Sequence, residues 1–438
     1  MIKLLYFKIN NLFNNPFFIQ SITTMILRII GVTTLFGFTF FLTHNFDPKI
    51  IGKYDFIRTF LLVISSITIF GADQSIIYFS GVLKSKNQLH LLEKIYLKSY
   101  SLIIAISFFV LLVIMIIGKS KINNFFNDLN TFDLIFKAAI ILTFYSITLF
   151  NTETIRALNN INLAELYRNI FKYFSVIIGS IILLKFDLKH YLPETFLVGF
   201  IFLAIISTIN IVMIFKKKRV NVKNDYNQYS YNYIFKKSFP IGISTLAIFC
   251  TMSIDVFFIK KFYGNEMVAY YSIAMKFVAI LLMIMNSVTI TVSSKIAEFF
   301  EEKNFNKLNQ IMKKSARLIF FLSLPISILF IYFINEILSI FGSAYLVAKL
   351  PLTILLISQT ISSVFGAVQV YMNMTGRQLI FQIIIIFAVF ISLVLNYYLI
   401  PIYGMSGAAI SYGISVFFWN SATAIIIYRL DKVNVMLR

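Results

Sequence analysis

Twelve stretches of mostly apolar residues recur along this 438-residue chain, near 22–43, 55–80, 97–118, 133–156, 168–186 and 193–215, then near 238–259, 268–293, 316–341, 351–374, 378–400 and 404–428. Each is close to the roughly 20 residues that span a bilayer core at about 1.5 Å per residue. Hydrocarbon offers no partner to a backbone N–H or C=O, so such segments must fold as helices that close their own hydrogen bonds. Composition agrees, with 59% hydrophobic and 13% charged residues, against about 25% charged in soluble domains. The expected fold class is an all-α integral membrane protein with twelve transmembrane helices.

Basic residues orient the chain, because Lys and Arg are retained in cytoplasmic loops. With the N-terminus inside, 26 of the 39 Lys and Arg fall in inner segments and 9 in outer ones, so both termini are expected in the cytoplasm. The net charge of +21 is then a property of loops facing anionic lipid, and nucleic acid is not an expected partner. The opening residues, MIKLLYFKINNLFNNPFF, have no small-residue cleavage site and read as a cytoplasmic lead-in lying on the membrane surface.

The longest hydrophilic interruption, 216–237, divides the chain into an N-terminal lobe (1–215, helices 1–6) and a C-terminal lobe (238–438, helices 7–12). The halves echo one another. IGKYDFIRTF at 51–60 returns 217 residues later as VAYYSIAMKF at 268–277, and RALNN at 156–160 as YMNMTGR at 371–377. Six helices per half is an even number, so both halves enter from the same side and the repeat is parallel.

Four basic residues fall inside apolar segments: Arg28, Arg58, Lys137 and Lys276. An ionisable group at depth costs about 2.5–3.5 kcal/mol on insertion scales and normally faces the bundle interior or water. Arg28 shares one face at 100° per residue with Ser21, Thr24 and Thr39, with Gly31 beside it; Lys276 lines up with Ser272 and Ser287. Both read as cavity residues. Arg58 and Lys137 lie near outer helix ends, where snorkelling to the headgroups explains them equally well. Asp255 lies on a stripe with Ser244 and Thr251. It reads either as a coupling-ion or proton site or as a structural group, an ion pair with Lys260 or a helix-end anchor. Asp73 reads as a helix-end residue.

Pro240, Pro325, Pro351 and Pro401 fall at or near helix ends, Pro325 being the expected kink, and Gly404, Gly407, Ala408 and Ala409 suit close helix approach. Cys250 is the single cysteine, and His44, His90 and His190 are scattered, so neither a disulfide framework nor a metal cluster is expected. No nucleophile elbow, phosphate-binding glycine loop or paired His and acid is present. The chain is expected to be a transporter rather than an enzyme, driven by a gradient or by a partner.

Several pieces together resemble a known family: FDPKIIGKYDF at 46–56, FPIGISTLAIFCTMSIDVFFIKKFYG at 239–264, FGSAYLVA at 341–348, NMTGR at 373–377, and LNYYLIPIYGMSGAAIS at 395–411. The chain resembles the polysaccharide flippases, the Wzx-type O-antigen and capsule exporters of the multidrug/oligosaccharidyl-lipid/polysaccharide exporter superfamily. Ala269 stands where the first copy of the turn has Gly52, a mild departure. The resemblance implies a MATE-like V-shaped pair of six-helix lobes in the bacterial inner membrane. It also implies a substrate of undecaprenyl-pyrophosphate-linked oligosaccharide, moved to the periplasmic leaflet by alternating access.

A basic cavity would replace the water around a diphosphate, with Arg28, Lys276, Arg58 and Lys137 as substrate-binding candidates and Asp255 as the ion-coupling candidate. No bound cofactor is expected; H+ or Na+ would be the coupling ion. Polysaccharide polymerase and chain-length proteins are the implied protein partners. The alternative is a cation-coupled multidrug extruder of the same fold, which would favour acids and aromatics in its cavity. A polysaccharide polymerase or ligase would carry a large outer loop, and no outer loop here exceeds about fifteen residues.

Overall fold

The structure is a computed structural model that describes residues 16–86, 88–218 and 229–437. Most of the expected lead-in, with Lys3 and Lys8, the middle of the linker, with Arg219 and Lys223, and Arg438 lie outside the described residues. Among the described residues every regular element is helical. In chain order the α-helices are α1 (Pro16–Asn45), α2 (Pro48–Ile69), α3 (Ala72–Ser85), α4 (Leu92–Phe126), α5 (Thr131–Ala157), α6 (Ile161–Leu166), α7 (Lys172–Lys185), α8 (Leu192–Lys218), α9 (Tyr231–Glu301), α10 (Phe305–Tyr332), α11 (Ile334–Ser339), α12 (Lys349–Ser363), α13 (Val368–Met374) and α14 (Gln378–Asp431). A π-helical turn, Tyr167–Phe171, joins α6 to α7.

Nine helical stretches among the described residues are long and apolar enough to cross a membrane, or ten when the bent pair α2–α3 counts as one. Two are too long for a single crossing. α9 has 71 residues and α14 has 54, which at 1.5 Å per residue is about 105 and 80 Å against a hydrocarbon core of about 30 Å. Each is interrupted by one glycine outside helical geometry, Gly264 (φ 82, ψ −168) in α9 and Gly404 (φ 57, ψ −137) in α14. An L side chain at positive φ meets its own backbone, whereas glycine has no Cβ to clash. Divided there, ten spans become twelve, matching the apolar segments of the sequence.

The described residues form two compact units. The first takes the chain up to Asn45, with Ile64–Gly118 and Asp133–Gly242; the second takes Phe46–Val63, Lys119–Phe132 and everything from Ile243 on. Two pieces of the first half of the sequence therefore belong with the second half.

Close backbone approach explains that membership. Within the second unit a Cβ on Gly52 would lie 1.6 Å from the Asn265 carbonyl oxygen, so α2 sits directly on the bend of α9 where the echo motif begins. Ala269, the residue that replaces glycine in the second copy, is fully buried. The opening of α9 belongs instead to the first unit: a Cβ on Gly71 would lie 2.3 Å from the Ser238 carbonyl oxygen, and the Ser75 and Ser238 hydroxyls share a 2.6 Å hydrogen bond.

Polar side chains join helices inside the first unit, where lipid gives no hydrophobic drive for helices to associate. Asn151 of α5 is the hub, accepting from the Tyr96 hydroxyl at 2.9 Å and donating to Ser207 and Thr208 at 2.9 Å each. Asp73 sits in the first turn of α3, as the sequence suggested, where a carboxylate suits the helix dipole.

Candidate functional site

Near its C-terminal end α5 carries Glu153 and Arg156, and a reversal with Asn159 at φ 69 sends the chain back as α6. Glu165 of α6 and Arg168 and Asn169 of the π-helical turn then return towards α5. α1 closes the group, because a Cβ on Gly31 would fall 2.5 Å from the Asn169 Cβ. That approach brings Arg28, three residues earlier, within reach of Glu165.

The resulting cluster in the first unit is dense. Arg28 donates to Glu165 through Nε at 3.3 Å and Nη2 at 3.4 Å, a two-pronged pairing. Arg156 also donates to Glu165, as does Asn169 at 2.8 Å. Arg168 pairs with Glu153, and Arg156 reaches the same acid at 3.7 Å. The Glu165 side chain is fully buried, while those of Arg28, Arg156 and Arg168 stay 26%, 26% and 36% exposed. Three guanidiniums thus meet two carboxylates, with a net charge of +1. Each guanidinium has five donors in a planar fork that matches phosphate oxygens, more than the carboxylates can absorb.

Of the other sequence candidates, Lys137 of α5 lies apart from this cluster, paired with Glu194 of α8 at 2.7 Å and half exposed. Arg58 and Lys276 belong to the second unit, where both face Asp55, at 3.3 and 3.4 Å. Asp55 is fully buried and Lys276 is 5% exposed. The four bases therefore occupy three separate acid-paired sites: Arg28 and Lys137 singly in the first unit, Arg58 and Lys276 together in the second.

Asp255 is 1% exposed, accepting from the Tyr271 hydroxyl at 2.5 Å and from the Val256 backbone N–H at 2.9 Å. Tyr412 lies close enough to interact electrostatically with it and donates to Gln359 at 3.1 Å. The alternative of an Asp255–Lys260 pair is corrected by the geometry. Five residues of helix rotate the two side chains about 140° apart at 3.6 residues per turn, and Lys260 is paired with Asp128 at 2.5 Å instead. Among the described residues no base faces Asp255.

Asp128 lies in the turn between α4 and α5, outside the spans. Burial pushes its carboxyl up, but the Lys260 ammonium, the Asn130 backbone N–H and the Thr131 hydroxyl outweigh that and hold it at about 2. Asp55, Asp128, Glu153 and Glu165 all escape the sequence reading, which weighs Asp255 and Asp73 but no other acid. An equal tally of acids finds Asp55 and Glu153, each inside an apolar segment.

Residues 240–398 match the MatE family model, and the sequence matches no curated protein. Among solved structures the chain is similar to the lipid II flippase MurJ in an inward-closed conformation, with TM-score 0.69 and 15% identity over 93% of this chain and 87% of that one. It is similar to the MATE multidrug transporter DinF-BH, solved as a complex, with TM-score 0.67 and 14% identity over 95% and 94%. It is also similar to a MOP-superfamily transporter from Pyrococcus furiosus Vc1 whose binding pocket is described as reversed in polarity, with TM-score 0.65 and 16% identity over 94% of each chain. The fold is the one these transporters and flippases share, all-α and MATE-like as the sequence indicated. The family match is confined to residues 240–398, and neither it nor the shared fold singles out a polysaccharide branch.

Proposed function

We propose that this chain is a flippase. It carries undecaprenyl-pyrophosphate-linked oligosaccharide, an O-antigen or capsule repeat unit, from the cytoplasmic to the periplasmic leaflet of the bacterial inner membrane by alternating access, with both termini cytoplasmic. The observation that carries this reading is the Arg28–Arg156–Arg168 cluster, where partly exposed guanidiniums outnumber their acids. A diphosphate arriving there can take the remaining donors bidentately while Glu165 keeps the forks aligned. Lys276 and Arg58 are the next bases offered to the anion, once movement separates them from Asp55. The lipid tail stays in hydrocarbon, so only the head group needs a polar path.

Asp255 is the acid we assign to H+ or Na+ coupling, since a buried carboxyl with no basic partner must be protonated or hold a cation. The same observation favours a second reading, a cation-coupled multidrug extruder. One experiment separates the two: the purified protein in liposomes is given a fluorescent undecaprenyl-diphosphate oligosaccharide and, in parallel, a cationic dye. Movement of the sugar lipid supports the flippase; movement of the dye alone overturns it. Polymerase and chain-length partners would follow from the flippase reading and are tested by co-purification.

A further inference from the structure

Two helices of the first unit leave a slot between them that the head-group cluster does not use. α7 and α8 form a hairpin held by small residues: Gly199 packs on Ser175 and Gly179 on Thr195, where an added Cβ would lie 1.9 and 2.8 Å from the neighbouring side chain. Such close backbones leave the larger side chains standing up on either side. Ile178 and Ile182 from α7 and Val198 and Phe202 from α8 wall a groove of about 570 Å³, and these four are 46–60% exposed. Both helices belong to membrane spans, so the medium that fills the groove is hydrocarbon.

Its form suits an extended apolar chain lying along the helices. From Glu194 to Phe202 the groove runs about 12 Å along the helix, close to the depth of one leaflet at about 15 Å.

The polar end is equally particular. Glu194 lines the groove with Tyr191 and accepts from Lys137 through Oε1, while its Oε2 is buried and has no partner among the described residues. A buried carboxylate oxygen without a donor calls for one. An oxygen that needs an N–H donor, beside the Lys137 ammonium that suits a phosphate, is the complement of an ethanolamine phosphate head.

We propose that the α7–α8 groove is a binding site for one phosphatidylethanolamine molecule, its acyl chain between Ile178 and Val198, its ammonium on Glu194 Oε2 and its phosphate on Lys137. Lys137 then serves a resident lipid rather than the transported one. The site is independent of the cargo, so it stands or falls apart from the flippase reading.

The test places the full chain in nanodiscs with equal phosphatidylethanolamine and phosphatidylcholine, each carrying a photoactivatable acyl chain, and maps labelled peptides by mass spectrometry. Labelling is expected to concentrate on 175–202, with the ethanolamine lipid favoured about fivefold. Glu194→Gln is expected to bring that preference near unity while leaving total labelling intact, and Val198→Trp to lower labelling by both lipids about fivefold. Even labelling around the lipid-facing helices, equal labelling by the two lipids in the unaltered protein, or no effect of Val198→Trp in a variant that still elutes as a folded monodisperse species would each overturn the proposal.

Discussion

In the first unit the side chains of three arginines surround two glutamates and remain 26–36% exposed, whereas in the second unit Lys276 and Lys260 are 5% and 0% exposed, Lys276 facing the Asp55 it shares with Arg58 and Lys260 facing Asp128. The same ingredients therefore do different work. Exposed guanidiniums with donors in excess can accept another anion without releasing the acids they already hold. A buried ammonium cannot do so until its pair comes apart. The first arrangement suits ligand capture and the second suits holding a conformation, here between α2 and α9 through Asp55 and Lys276, and between the α4–α5 turn and α9 through Asp128 and Lys260.

The sharpest way to break this contrast is Asp55→Asn. It leaves Lys276 buried without its acid, and removing one member of a buried pair costs about 3–5 kcal/mol. Thermal unfolding in detergent is expected to show the loss, and Asp55→Asn with Lys276→Met is expected to recover most of it, because two neutral partners no longer demand each other. If the single variant unfolds at the temperature of the unaltered protein, Asp55 and Lys276 are not a structural tie and the contrast between the units fails.

Next in size is Arg28→Lys. The ammonium keeps the charge opposite Glu165, so the unfolding temperature is expected to move by only a few degrees. The planar fork is lost, and a fork-specific role in phosphate recognition predicts about a tenfold fall in transport of a diphosphate lipid, equivalent to about 1.4 kcal/mol. The corresponding change at Lys137, to Arg, is expected to leave transport within about twofold. Equal effects at the two positions would remove the special standing of the arginine cluster.

The spans are legible in the sequence because the bilayer imposes one length and one polarity on every crossing. Even the break at Gly404 is marked by its place after LIP, although its neighbours suggest a packing glycine rather than the positive-φ turn it makes. The ion pairs are not legible. Arg28 and Glu165 are 137 residues apart and Lys276 and Asp55 221, and helical periodicity assigns a side chain to a face without naming what that face meets. Lys260 illustrates the reverse error, in which nearness to Asp255 in sequence stands in for nearness in space. Lys276 is buried, but a stripe with serines carries no record of the acid arriving from another helix.

Asp255→Asn sharpens the comparison within the second unit, where Asp255 is the buried acid without a base. The amide oxygen still accepts from Tyr271, so stability is expected to stay within about 1 kcal/mol, in line with a hydrogen bond kept rather than broken. Uptake driven by an imposed ion gradient is expected to fall to the level seen with no gradient, while downhill movement persists. Gradient-driven transport that survives the change would return Asp255 to a purely structural role.

The smallest effect is expected at the pair whose acid, Asp128, lies outside the spans. Asp128 is held at about 2, below its ordinary 3.8, so the stability it contributes is complete above about pH 4 and is lost as pH falls through about 2. Asp128 is a quarter exposed, and solvent screens much of what the shift would otherwise be worth. Between pH 7 and 5 any change in the unfolding temperature of the unaltered protein is expected to owe nothing to this group. Between pH 4 and 2 it is expected to drop more steeply than that of Asp128→Asn, which begins lower because Lys260 has already lost its charged partner. The two curves should converge at the acid end, where both proteins present a neutral side chain to Lys260. Parallel curves throughout would mean that Lys260 draws no stability from Asp128, leaving Asp55 and Lys276 as the ionic tie that distinguishes the second unit from the first.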